Sequence, residues 1–110
     1  HTQGAQVIMT YDTTQRSANW QAEVSVGDKR IRYAFDNKWA VSLLWGPHSY
    51  GEANEFGEAV SYEVAVFKPD GEFLSLTEYD DVIGHRTWNE VKHILEKVNT
   101  GNAKDLELIY

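Results

Sequence analysis

Apolar and polar residues alternate through most of the chain, and the period changes only near its end. Trp20, Ala22, Val24 and Val26 alternate with Gln21, Glu23 and Ser25. After Gly27-Asp28-Lys29, Ile31, Tyr33 and Phe35 alternate with Arg32 and Ala34. This two-residue period predicts a hairpin with one buried face. Asp36-Asn37 predicts a second turn, leading into Trp39, Val41, Leu43 and Trp45, whose intervening residues Ala40, Ser42 and Leu44 are only weakly polar. A strand apolar on both sides belongs in the middle of a sheet. Gly46-Pro47 ends it, and the stretch to Glu58 has no period, which predicts a long loop of the kind that carries function. Val60, Tyr62, Val64 and Val66 predict another strand. Pro69-Asp70-Gly71 is a turn signal, and Phe73 to Leu76 reads as a shorter partner.

From Thr87 onward the spacing becomes helical. Thr87-Trp88-Asn89-Glu90 fits a capping box, in which the hydroxyl and the carboxylate each satisfy a free backbone N–H of the other residue. Trp88, Val91, Ile94, Leu95 and Val98 form one apolar stripe, and Asn99-Thr100-Gly101 stops the helix. Leu106 to Tyr110 reads either as a short last strand or as a docked tail. Strands followed by one helix predict an α+β fold, with an antiparallel sheet of about five strands and a C-terminal helix on one face. A barrel would offer that stripe too little apolar surface. Trp39, Val41, Leu43, Val64, Val66, Val91 and Leu95 are the expected core.

A length of 110 residues is one domain's worth. Residues 1–8 precede the only methionine, Met9, and read as a vector-derived stub or disordered start ahead of a single domain over 9–110. Val7 to Tyr11 is the competing first strand. The absence of cysteine removes disulfides and thiolate chemistry. No apolar run approaches the roughly 20 residues of a membrane helix, so a cytoplasmic location is the default expectation.

The formal charge of −7 is concentrated in one stretch. Between Glu52 and Asp81 lie nine acids (Glu52, Glu55, Glu58, Glu63, Asp70, Glu72, Glu78, Asp80 and Asp81) against Lys68 alone, a local balance of −8. Lys29, Arg30 and Arg32 cluster at the first hairpin. An acidic field attracts cationic partners and repels polyanions, so the expected partner is a protein with a basic surface, such as a nucleic-acid-binding protein, and not nucleic acid itself. Glu52, Glu55, Glu58, Glu78, Asp80 and Asp81 are the candidate contacts. Trp45, His48 and Tyr50 join them because Trp and Tyr often dominate binding energy. Self-association through an uncapped strand is a third expectation.

The alternative is a small ligand-binding domain or enzyme with its pocket near Trp45 to Gly51, where a histidine could act as acid or base. No G-x-S-x-G or phosphate-binding glycine pattern accompanies it. Glu78, Asp80, Asp81 and His85 are the right types for a divalent cation but lack a ligand register, and read more simply as an acidic turn before a capped helix. His93 reads as a solvated helix position. No catalytic residue, metal or cofactor is predicted.

Overall fold

The computed structural model describes residues 18–25, as backbone, and 27–110. Met9 and its leader, the Val7–Tyr11 strand and Val26 lie outside the described residues. Strands β1 (Ala18–Ser25), β2 (Asp28–Ala34), β3 (Ala40–Trp45) and β4 (Tyr62–Phe67) pair in chain order, each antiparallel to the next. The far side of β4 is shared end to end by β5 (Phe73–Leu74) and β6 (Val82–Arg86), both antiparallel to it. One helix, α1 (Trp88–Asn99), crosses one face, followed by a 3-10 turn at Ala103–Leu106. This is the expected α+β arrangement.

Cross-strand register explains which face carries the core. Ile31 pairs with Leu43 and Leu43 with Val64, while Tyr33 pairs with Val41 and Val41 with Val66. These rows are fully buried beneath Val91, Ile94, Leu95 and Val98 of α1. Each such aliphatic contributes about 1.5–3 kcal/mol by leaving water. The opposite face carries Arg30, Leu44 and Glu63 in one row, and Arg32 lies over the Phe67 ring with its Cζ 5.8 Å from the ring centre. Trp39 is the exception among the expected core residues. It precedes β3, just after Lys38 at φ +76°, and is only half-buried against the core edge.

Other details depart from the sequence pattern or decide what it left open. The first hairpin forms, with Gln21 opposite Ile31 and Trp20 opposite Arg32, and its ladder is irregular between Glu23 and Ser25. Val60 is exposed and outside β4, its N–H donating to Glu52 O. Strand β6 has no counterpart in the alternation pattern. Finally, Leu106–Tyr110 is a docked tail: the N–H groups of Leu108 and Tyr110 donate to Ser75 O and Leu76 O, and Tyr110 packs on Arg86.

The helix start matches its sequence signature. Glu90 N–H donates to Thr87 Oγ1 and Thr87 N–H to Glu90 Oε1, at 3.2 and 2.9 Å. At the other end the Asn37 amide, from the β2–β3 turn, donates to Val98 O at 2.8 Å and ties helix to hairpin. The Thr87 backbone N–H first, then the nearby Arg86 charge and the Thr87 hydroxyl, hold the Glu90 carboxyl below its ordinary range despite partial desolvation. A depressed carboxylate stabilises the fold above its unfolded pKa, and that contribution is lost as pH falls through the folded value. Thr87→Ala, which removes the cap hydroxyl but keeps the backbone N–H, is expected to cost about 1 kcal/mol at neutral pH in denaturant melts, whereas Glu90→Gln, which removes the titrating carboxylate, should lose less of its stability than the parent on acidification below the ordinary Glu range. Equal acid sensitivity in Glu90→Gln and the parent would contradict the capping geometry.

Candidate functional site

The connection from Trp45 to Tyr62 is more ordered than its lack of periodicity suggests. Gly46 N–H donates to Gly51 O, Ser49 N–H to Gly46 O, and the Ser49 hydroxyl bridges Gly46 O and Gly51 O while accepting from Gly51 N–H. The chain then makes a small hairpin. Val60 and Ser61 N–H groups donate to Glu52 O, Ala53 and Ala59 form an antiparallel bridge, and Asn54 N–H donates to Glu58 O. Asn54 organises the tip, its Oδ1 accepting from Phe56 and Glu58 N–H and its Nδ2 donating to Glu58 Oε1. This is the side-chain mimicry of a turn at which asparagine excels.

Trp45 fixes where that hairpin goes. Its side chain is 2% exposed and its indole N–H donates to Gly57 O at 3.1 Å, so the tip is folded back over the end of β3. Its ring meets Tyr62 edge-on at 5.6 Å, and Tyr62 meets Trp88 at 5.9 Å, forming an aromatic series from the loop to the start of α1. Burial raises the Tyr62 hydroxyl pKa above its usual value.

A second anchor lies beside it. Lys29 pairs with Trp45, so Asp28 sits next to Gly46, where a Cβ would fall 2.2 Å from Asp28 Oδ1. Asp28 is 3% exposed; its Oδ1 accepts from His48 N–H at 3.0 Å, and its Oδ2 lies 3.3 Å from His48 Nδ1. His48 is itself exposed. A carboxylate behind an outward imidazole resembles half of a catalytic arrangement, but the neighbouring Ser49 hydroxyl is committed to the loop backbone.

Trp45, His48, Tyr50, Glu52, Glu55 and Glu58 therefore gather at one end of the sheet. Tyr50 N–H donates to Glu63 Oε1 and its carbonyl accepts from His85 N–H, while Glu52 Oε2 lies 3.8 Å from His85 Nδ1. Glu78, Asp80 and Asp81 lie beyond the other end of β6, four strand steps of about 3.3 Å away. Asp80 Oδ1 caps the N–H groups of Asp81 and Val82, and Asp81 accepts from the Ser75 hydroxyl. Asp70 and Glu72 occupy the β4–β5 turn, at the opposite end of β4. The acidic stretch is thus three groups rather than one face. His85 is turned toward Glu52, and no trio of His, Asp and Glu among the described residues is placed to hold a metal.

Exposed aromatics accompany two of the acidic groups. Phe56 is 78% exposed between Glu55 and Glu58, and Tyr79 is 93% exposed between Glu78 and Asp80. No helix among the described residues is long and apolar enough to cross a membrane. Comparison with known protein families, with curated proteins and with solved structures found no match.

Trp45→Phe keeps most of the buried ring but leaves Gly57 O without its donor. It should cost about 1 kcal/mol in denaturant melts and speed hydrogen exchange at the Gly57 and Val60 amides. Unchanged exchange there would show that the indole bond does not hold the loop.

Proposed function

We propose that this chain is a small protein-interaction module, an inhibitor or adaptor, that docks on a basic protein surface through its 46–60 loop, with Glu78, Asp80 and Asp81 as an outlying second contact. The observation that carries the reading is Phe56, a large apolar side chain held out in water by a tip whose backbone is fixed by Asn54, with carboxylates on both sides. An exposed aromatic on a pre-ordered loop loses little entropy on docking and buries much apolar area. The flanking Glu55 and Glu58 supply steering toward cations. Trp45 serves from beneath the loop, His48 and Tyr50 from its flank. An enzyme centred on His48 has less support, since the hydroxyl of its chain neighbour Ser49 is held in the turn.

The test is quantitative capture from the source cell by the immobilised protein, at low and raised salt, with melts confirming that each variant is folded. Phe56→Ala should weaken capture about tenfold or more, an interfacial aromatic typically contributing around 2 kcal/mol. Glu55→Lys with Glu58→Lys should remove the salt-sensitive part. Folded variants that capture the same proteins at the same strength would refute the docking loop.

A further inference from the structure

The sheet face turned away from α1 holds a hollow of its own. At its centre Ser42 pairs with Ala65 and Ala65 with Val82. Ser42 and Ala65 are short and nearly buried, so a space of about 100 Å³ opens over them among the longer Leu44, Phe67, Phe73 and Val82 side chains. That is well below the roughly 300–1,000 Å³ of sites that enclose a free small molecule. It has room for one side chain.

Two donors in this hollow lack acceptors. Ser42 is 7% exposed, and its hydroxyl makes no hydrogen bond among the described residues. Arg30 also lines the hollow; its Nε is buried without a hydrogen-bond partner, and its guanidinium makes no ion pair among the described residues. The other charged lining residue, Glu63, accepts from Tyr50 N–H at Oε1 and does not pair with Arg30. Buried donors left unmade are costly, and a guanidinium beside a hydroxyl suits a carboxylate.

The chain itself carries a matching group. Glu55 is exposed, makes no hydrogen bond or ion pair among the described residues, and precedes Phe56 on the fixed tip, whereas Glu58 is held by Asn54. Phe73, 42% exposed at the edge of the hollow, meets Phe67 at 4.7 Å and offers an aromatic rim. Arg32, over the Phe67 ring, adds positive charge to the same face. We propose that this face receives the 52–60 hairpin of a second copy of the chain, with Glu55 entering the hollow toward Arg30 and Ser42 and Phe56 lying against Phe73. This rests on the docking-loop reading and names the basic surface as one the chain itself presents. The contact joins two different patches, so it strings copies head to tail instead of closing a two-fold dimer.

Sedimentation velocity of the purified protein over a wide range of concentration tests this. The average mass should keep rising with concentration, and the rise should shrink at raised salt. With melts confirming each fold, Arg30→Glu and Glu55→Arg should each weaken self-association about tenfold or more by setting like charges face to face. The double variant, with the two charges exchanged, should recover it. Arg30→Gln is a milder change to the face and should weaken association by up to about fivefold, which keeps the test open if Arg30→Glu does not fold. Amide shifts that grow with concentration should appear at Ser42, Ala65 and Val82 and at Glu55 to Gly57. A protein monomeric throughout, association indifferent to both reversals, or a double variant no stronger than the single ones would overturn the pairing. A monomeric protein whose capture from the source cell still falls with Phe56→Ala would overturn the pairing alone and leave the docking loop. Capture and self-association both indifferent to Phe56→Ala would overturn the docking loop and the pairing together.

Discussion

The hydrogen bond from the Trp45 indole to Gly57 O is the constraint on which the functional end of the molecule depends. A tryptophan buried in a core must find an acceptor for its N–H or carry an unsatisfied donor, at a cost of roughly 1–3 kcal/mol. Here the acceptor lies 12 residues further on, so satisfying the core requires the loop to turn back over the end of β3. That requirement sets the hairpin's direction, brings Gly57 to the sheet and sends Phe56, its neighbour, outward. The contact with Tyr62, and through it with Trp88, ties the loop to the same packing that seats the helix.

Asp28 plays the complementary electrostatic part. A buried carboxylate is costly without partners, and Asp28 receives both the backbone N–H and the imidazole of His48. The first turn after β3 is thereby pinned to the β1–β2 hairpin, and only glycine leaves room for this at position 46, where φ is +138° and a Cβ would strike the carboxylate. The two anchors hold the two halves of the loop, Asp28 its first turn and Trp45 its hairpin.

Much of the fold was readable because it rests on local chemistry. Alternation located β2, β3 and β4, and the Thr87–Glu90 box located the helix start, since each pattern expresses a face or a cap that the residues themselves create. Strand β6 was not readable. Val82-Ile83-Gly84-His85-Arg86 has no alternation, and Gly84 is there because Tyr50 approaches so closely that a Cβ would lie 2.6 Å from its own. Charge along the chain identified the acidic loop but overstated its unity, because the β4–β6 ladder separates residues that are near in sequence. The Asp28–His48 pair spans 20 residues and needed the Lys29–Trp45 register before it could be seen. The exposed Phe56 did carry a signal, in Asn54 and Gly57 bracketing a turn, but a turn of this kind has no hydrophobic period.

The central claim is that the 52–60 hairpin is a pre-ordered docking element rather than a mobile connection. Backbone ¹⁵N relaxation of the free protein tests it most directly. The account predicts order parameters for residues 52–60 close to those of β3 and β4, around 0.85. Values below about 0.6 at Glu55, Phe56 and Gly57 would contradict it, because a tip moving that freely is not held by Trp45 and Asn54.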